Sequence, residues 1–269
     1  MVGKYLSVFK TKLKLDREYK LDLIGHFIKM PVQAGILAAV WIAIFNATGS
    51  STIAGFTLPT FLIYIISAQL MISSFHDWAV YENQEELIVY GGFVNILVRP
   101  MNYLWYSFAQ SIQIFFRDCL FSSATILLVT FIGSKMSKEI LFPSVMQIGL
   151  FLFAFALGLI LAYLIYYNIC LAMFWVGDVW SVWAGVESIE ALLSGAVVPL
   201  TINSTFNAIA SFLPFKYLIS TPLMTYLGKY TIVESLTQLG YSILWIFGLA
   251  LLSRLILKAG LKKTDVQGG

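Results

Sequence analysis

Long apolar runs without charged residues limit, more than any other feature, how this chain can fold. The run from Val145 to Cys170 contains no Asp, Glu, Lys or Arg, and further apolar runs lie on both sides of it. Of the 269 residues, 59% are hydrophobic and 12% are charged, whereas a soluble domain is about 45–50% apolar and about 25% charged. The sequence therefore predicts an all-α integral membrane protein with a single transmembrane domain over residues 1–269.

The number of spans follows from the length of the apolar runs, because one transmembrane helix needs about 20 residues. We place six spans, at about 31–47, 54–75, 112–132, 145–170, 179–200 and 232–257. Residues 200–230, between the last two spans, are apolar but are interrupted by Pro214, Pro222 and Gly228. This segment is too broken to span and too apolar for a free loop, so we expect two short re-entrant helices in the outer leaflet.

Basic residues mark both ends of the chain. Seven of the 17 Lys and Arg precede Pro31, and four lie in the last sixteen residues. Basic segments that flank spans stay cytoplasmic, so both termini are expected inside the cell. Residues 1–29 mix these charges with apolar residues, which favours an amphipathic helix on the inner membrane surface over a solvated charged tail. We expect the lipid bilayer, and no nucleic acid, as the partner of this segment.

Two carboxylates fall inside a predicted span. Glu187 and Glu190 are three residues apart on the fifth span, so they share one helix face, and Ser194 follows one turn later. Ionisable residues inside membranes are functional candidates, and this face is a candidate wall of a substrate route at a subunit interface. The alternatives are acids tied to neighbouring helices, or a span that begins later.

Several residues near the predicted membrane surfaces have simpler interpretations. Arg117 and Asp118 are adjacent near the inner end of the third span, where snorkelling and local pairing account for both. Asp178 is expected to be a solvated turn residue or a helix cap. Interface anchoring is predicted for the three tryptophans around the turn between spans four and five, which are Trp175, Trp180 and Trp183.

No catalytic or metal-binding motif is visible. The sequence has no Gly-x-x-x-x-Gly-Lys-Ser/Thr phosphate loop, no His-Glu-x-x-His and no Gly-x-Ser-x-Gly. His26 and His76 are far apart, and Cys119 and Cys170 lie in apolar runs without metal-ligand spacing. We therefore predict that this chain is not an enzyme and binds no cofactor or metal. If it pumps, its energy must come from another chain.

Short motifs along most of the chain resemble the permease subunit of type-2 ABC exporters. They are Gly91-Gly92 followed by Ile96-Leu-Val-Arg-Pro100, the block Ser194-Gly-Ala-Val-Val-Pro-Leu200, then Leu213-Pro-Phe215, Thr221-Pro222, Leu227-Gly228 and the closing Val266-Gln-Gly-Gly269. Six spans, a basic amphipathic start and a cytoplasmic segment at 76–105 add to this resemblance. The chain is similar to a bacterial six-span subfamily first described only as a domain of unknown function.

The resemblance implies that a short coupling helix after the second span fits a groove on a separate ATPase subunit. Acids near the start of this helix would offset its dipole, apolar residues would dock, and glycines would end it. The residues that would carry the contact are Glu82, Glu85, Glu86, Leu87, Ile88, Tyr90, Gly91, Gly92 and Arg99. The alternative is a loop helix that only covers surface close to the lipid.

The resemblance also implies a complex of four subunits in the bacterial cytoplasmic membrane. Two permeases, identical or different, would pair with two ATPase subunits that use ATP and Mg²⁺. ATP-driven alternating access would then export an amphipathic cargo, such as a peptide, a lipid-like molecule or a drug. The alternative is an ATP-independent membrane immunity or binding protein. An intramembrane enzyme acting on lipid is a third class, but it lacks a visible nucleophile–base or metal pair.

Overall fold

Most of the described residues are helical in a computed structural model, which describes residues 20–75, 78–92 and 102–264. In chain order the helices are α1 (Lys20–Thr48), α2 (Leu58–Phe75), α3 (Trp78–Ile88), α4 (Tyr103–Met136), α5 (Val145–Leu171), α6 (Met173–Val176), α7 (Trp180–Leu193), α8 (Ser204–Ser211), α9 (Ser220–Tyr226) and α10 (Ile232–Thr264). Two 3-10 turns cover Leu200–Ile202 and Pro214–Tyr217. Most of the amphipathic helix predicted at 1–29, Arg99 and the motif residues 96–100 and 266–269 lie outside the described residues.

Five stretches of the described residues are long and apolar enough to cross a membrane. They are Pro31–Thr48, Leu58–Ile88, Arg117–Met136, Val145–Val176 and Ile232–Lys263. These stretches match the first, second, third, fourth and sixth predicted spans, and they confirm an all-α, multi-pass architecture. The second helix begins at Leu58 rather than at Ala54, because residues 52–57 form a short hairpin.

The prediction of an unbroken fifth span over 179–200 is wrong. Helix α7 has 14 residues and ends at Leu193, so it is about 21 Å long, whereas the hydrocarbon core is about 30 Å thick. The chain then turns at Gly195, whose φ is +87°, a value that favours glycine. The short helices expected between the last two spans are present as α8 and α9, and every residue of α9 is buried.

The backbone that follows α7 is not helical, yet its carbonyl groups are hydrogen-bonded. Ser194, Gly195, Ala196 and Val197 each offer a carbonyl oxygen to another part of the chain. Their donors are, in order, the Ser220 N–H (2.9 Å), the Tyr64 hydroxyl (2.9 Å), the Gln69 amide (3.0 Å) and the Trp41 indole (3.2 Å). Non-helical backbone is stable at membrane depth only when it is paired in this way, so α1, α2 and α9 together stabilise the break.

Helix α5 forms the centre of the bundle. It is uncharged, fourteen of its residues are buried, and it packs against α2, α3, α9 and α10. Ser144 caps its start through a reciprocal capping box with Gln147, which satisfies orphan backbone groups. A Cβ at Gly158 would lie 3.3 Å from the Leu218 carbonyl oxygen, so this glycine allows the close approach of the segment before α9.

The bundle has two distinct ends. One, called the hairpin end, carries strands β1 (Thr52–Ile53) and β2 (Phe56–Thr57), the 137–144 turn and residues 227–231. The strands pair as Thr52 with Thr57 and Ile53 with Phe56. Ala54 and Gly55 join them with φ values of +55° and +80°, as a type I′ turn requires. The opposite end, called the α3 end, carries α3, α6 and the turn before α7.

Candidate functional site

Helix α3, the predicted coupling helix, has one buried and one exposed face. Val80, Tyr81, Gln84 and Leu87 point into the protein and are buried. Glu82 and Glu86, one turn apart, are exposed, and Glu85 is half-buried between the faces. This spacing follows the period of an α-helix. The helix therefore presents an acidic strip to its surroundings while its other face is fixed to the bundle.

The buried face of α3 is held by polar contacts to two other elements. The Gln84 amide donates to the Ser107 hydroxyl and accepts from the Tyr103 hydroxyl, and both residues belong to the first turns of α4. The Tyr81 hydroxyl donates to Asp178 at 2.6 Å. These contacts join α3 both to α4 and to the turn before α7.

Asp178 connects α3 to the start of α7. Its Oδ1 accepts the Tyr81 hydroxyl and also the backbone N–H of Trp180 at 2.8 Å. Asp178 is exposed and lies in the turn before α7, whose N-cap residue is Val179, so of the two predicted roles the solvated turn residue is the one observed. The hydrogen bond from Tyr81, followed by the one from Trp180, lowers the pKa of this exposed carboxyl below its usual value, because both bonds favour the charged form.

The start and the apolar side of α3 differ from the sequence expectation. The helix begins at Trp78, and its first turn contains no acid. Glu82, Glu85 and Glu86 therefore lie in its middle and last turns, where they do not offset the dipole, so that part of the prediction is wrong. The helix thus begins before the predicted docking residues, and Val80 and Tyr81 in its first turns lie on its buried face.

The predicted docking residues of α3 lie on different sides of the helix. Leu87 is 8% exposed and belongs to the core, and Ile88 packs partly against it. Tyr90, by contrast, is 75% exposed, and its neighbour Val89 is 44% exposed. Among the described side chains of this segment, Val89 and Tyr90 form the outward apolar surface, and Val89 was not singled out from the sequence.

The two adjacent glycines end α3, as predicted. Gly91 has a φ of +77°, which an L side chain rarely adopts. The Gly92 N–H donates to the Glu86 carbonyl at 3.2 Å. A Cβ at Gly92 would lie 3.0 Å from that same oxygen. Gly91 is thus favoured by its positive φ, and Gly92 by the lack of space for a Cβ.

Glu187 and Glu190 are brought to the same side of α7 but have different surroundings. Glu190 is fully buried, and its Oε2 accepts the hydroxyl of Tyr166 from α5. Glu187 is half-buried and accepts the Trp183 indole N–H at 2.8 Å. Ser194 is fully buried, and its hydroxyl has no hydrogen-bond partner among the described residues. The acids are thus tied to aromatic side chains.

Aromatic rings in tilted and edge-to-face contact connect these acids to α3. Trp183 lies 4.3 Å from Tyr166 and 5.8 Å from Tyr81, between ring centroids. Trp183 is 1% exposed, so its prediction as an interface anchor is wrong, while Trp175 and Trp180 are exposed. Tyr81 and Tyr166 were not singled out from the sequence. Tyr166 lies inside an apolar run, where a tyrosine hydroxyl signals a buried partner.

Two further expectations concern charges and metals. Arg117 Nε lies 2.7 Å from Asp118 Oδ1, which confirms the predicted local pairing. Among the described residues no group of three or more His, Cys, Asp or Glu side chains is arranged to hold a metal ion.

These helices and their exposed apolar surfaces define an all-α, multi-pass membrane protein with a fixed polar helix at one end. The chain matches the model of the ABC-2 family transporter protein over residues 32–268, and it belongs to that family. The resemblance to a type-2 ABC permease is therefore confirmed. Membership implies a membrane transport component that works with an ATP-binding subunit. No curated protein and no solved structure matches the chain.

Proposed function

We propose that this protein is the permease subunit of an ABC exporter, and that a separate ATPase subunit, using ATP and Mg²⁺, docks on its α3 end. The observation that carries the proposal is a surface helix whose inner face is fixed to α4 and to the turn before α7. Such a helix transmits force rather than catalysing a reaction. In this proposal the α3 end and both termini lie in the cytoplasm of a bacterial cell.

The docking surface consists of an acidic strip and an apolar tip. Glu82 and Glu86 form the strip, and Val89 with Tyr90 forms the tip at the end of the helix. Exposed aromatic residues provide most of the affinity in such contacts, while charges at the rim steer association. We therefore infer a groove on the ATPase subunit that is apolar at its centre and basic at its edge.

A path of contacts leads from this surface into the membrane region. Tyr81 touches Trp183, Trp183 touches Tyr166, and the Tyr166 hydroxyl reaches Glu190. When the ATPase subunits close and α3 moves, this path displaces α7 and the non-helical segment that follows it. Alternating access of the transport pathway then results from motion of α7 relative to α5.

The substrate route is proposed to follow α7, with Glu187, Glu190 and Ser194 on its wall. Glu187 is half-buried, and α7 exposes small residues (Ser181, Gly185 and Ser188) as well as large apolar ones (Val182, Ile189 and Leu192). A second permease, identical or different, would cover the exposed side of α7. An amphipathic cargo suits a wall that combines carboxylates with tryptophan.

Co-purification with an ATPase subunit tests the docking surface. The variant Val89→Ala with Tyr90→Ala should reduce recovery of the ATPase by about fivefold or more, because it removes both apolar anchors. Tyr241→Ala, which truncates an exposed tyrosine of α10, is the matched control and should leave recovery unchanged. Equal recovery from the two variants would remove α3 from the interface.

Charge reversal tests the acidic strip of the docking surface, and neutralisation of the α7 carboxylates tests the substrate route. Glu82→Lys with Glu86→Lys should weaken association most at low salt, since rim charges are screened as ionic strength rises.

Glu187→Gln with Glu190→Gln should impair cargo-stimulated ATP hydrolysis while the ATPase still co-purifies. Stimulation equal to that of the control Glu234→Gln, on exposed α10 surface, would exclude these acids from the route.

A further inference from the structure

The last helix, α10, carries its charged residues in its first turn and in its last third. Glu234 lies in the first turn, and the next charged residue is Arg254. Residues 235–253 between them are uncharged and cover about 29 Å as a helix, which matches a hydrocarbon core of about 30 Å. Because a charged side chain is costly inside that core, Arg254 lies at its edge, on the side of the α3 end.

Three cations follow one another along α10 from this edge. Arg254, Lys258 and Lys262 are four residues apart and exposed, so they form one strip on the helix surface, called the cation strip. Lys258 lies about 6 Å beyond Arg254 along the helix axis, and Lys262 about 12 Å beyond it. The headgroup layer on each side of a bilayer is about 5–8 Å thick. The first two cations therefore bracket the layer that contains the lipid phosphates.

The cation strip faces away from the protein. On the opposite side of α10, Ser253 and Gly260 are buried, and a Cβ at Gly260 would overlap the Phe174 ring of α6. The Lys263 ammonium donates to the Trp175 carbonyl at 3.3 Å, which also ties this end of α10 to α6. The strip is thus held in place by contacts behind it and remains open to its surroundings.

Exposed apolar side chains continue this surface toward the middle of the membrane. Phe247, Leu251 and Leu255 are large, apolar and exposed, and Leu251 lies three residues before Arg254, on the same helix face. One surface of α10 thus combines an apolar part at the depth of the acyl chains with cations at the depth of the phosphates. A phospholipid with a net negative headgroup has the complementary arrangement.

We propose that Arg254 and Lys258, together with the apolar residues next to them, form a binding site for an anionic phospholipid and select it over zwitterionic lipids. In the described part of the chain Arg117 pairs with Asp118, whereas no carboxylate pairs with the cation strip, so its charge is available to a ligand. A second copy of this chain is disfavoured as the occupant, since a two-fold contact through the strip would bring like charges together.

Parallel lipid titrations test this site. The full chain is purified in detergent, stripped of lipid and titrated with phosphatidylglycerol or with phosphatidylcholine of identical acyl chains. Native mass spectrometry measures the lipid-bound fraction and thus the ratio of the two dissociation constants. The two lipids differ only in their headgroups, so this ratio reports recognition of charge. No ATPase subunit and no cargo are present, so the result is independent of the proposed exporter function.

The parent protein should prefer phosphatidylglycerol by tenfold or more, and Lys258→Gln should reduce this preference by about fivefold, as expected for one cation near an anionic headgroup. Arg254→Gln with Lys258→Gln should abolish the preference. Arg254→Lys with Lys258→Arg keeps both charges and should retain it. The matched control is Lys135→Gln with Lys138→Gln, which removes two exposed cations at the hairpin end and should leave the preference unchanged.

Three results would overturn the proposal. The first is a double Gln variant of Arg254 and Lys258 that keeps the parent preference, or a control variant of Lys135 and Lys138 that loses it equally. The second is an equal loss of affinity for both lipids, because the site would then not recognise headgroup charge. The third is conversion of a dimer into a monomer by the double Gln variant with the lipid preference retained, which would assign this face to a second copy of the chain.

Discussion

Gly195→Ala probes the break that follows α7. Gly195 has a φ of +87°, and an added Cβ would lie 2.6 Å from the Tyr64 hydroxyl oxygen. A positive φ costs an alanine about 1–2 kcal/mol. Tyr64 is fully buried, so it relieves the overlap only by giving up its hydrogen bond to the Gly195 carbonyl, at a further cost of about 0.5–1.5 kcal/mol. We expect a total loss of about 1.5–3.5 kcal/mol in the free energy of unfolding.

The assay is reversible unfolding of the purified protein by SDS in mixed micelles, followed by tryptophan fluorescence. Gly185→Ala is the matched control, because Gly185 lies within α7 and a Cβ there would meet nothing within 4 Å. This control should gain up to about 1 kcal/mol from helix propensity. The same Gly→Ala substitution, made at two positions ten residues apart, is thus expected to change the free energy of unfolding in opposite directions.

A double-mutant cycle with Tyr64→Phe isolates the steric part. Removing the hydroxyl deletes the hydrogen bond to Gly195 but also deletes the atom that the new Cβ would meet. The double variant should therefore lose less stability than the sum of the two single variants. Strict additivity, or a Gly195→Ala protein as stable as Gly185→Ala, would refute this account of the break.

Three further perturbations follow from the structure. The pKa of Asp178 is lowered in the folded protein, so this carboxylate stabilises the fold fully above its unfolded pKa, and the stabilisation disappears as pH falls through the lower folded pKa. Tyr81→Phe should reduce the loss of stability that occurs below about pH 4, as measured by a fluorescence titration. Gly260→Ala would place a Cβ 2.5 Å from Phe174 Cδ2, and SDS unfolding should show a loss of about 1–3 kcal/mol; unchanged stability would mean that α6 and α10 do not approach so closely. Ala54→Gly should stabilise the hairpin by about 1 kcal/mol, since Ala54 has a φ of +55°, and a lower thermal midpoint would contradict this.

The sequence predicts correctly those spans whose bounds are set by the length of an apolar run. Helix α5 is uncharged, opens with a capping box and fills the core, so its pattern and its position agree. The fifth span failed because residues 194–200 are as apolar as a span. The helix ends because of Gly195 together with donors from Tyr64, Gln69 and Trp41. These donors lie far away in the sequence, so the hydropathy of residues 194–200 does not reveal them.

The candidate site was predictable in composition but not in orientation. The acids, the apolar residues and the paired glycines near α3 were all identified, yet the sequence did not show which of them point inward. Leu87 is covered by the protein and Tyr90 is not, although both are apolar and three residues apart. Likewise Trp183 packs on Tyr166 rather than at a membrane surface, because a partner on α5 attracts it.

The four paired carbonyls after α7 depend on donors that are synthesised at different times. Three of their donors, on Trp41, Tyr64 and Gln69, are encoded before α7, and only the Ser220 N–H follows it. During synthesis from the N-terminus, α1 and α2 therefore precede the segment that needs them. A truncated chain without α1 and α2 would lack the donors to the carbonyls of Gly195, Ala196 and Val197 and would keep only the bond from Ser220 to Ser194. In the full chain, those three donors are already present when residues 194–197 are synthesised.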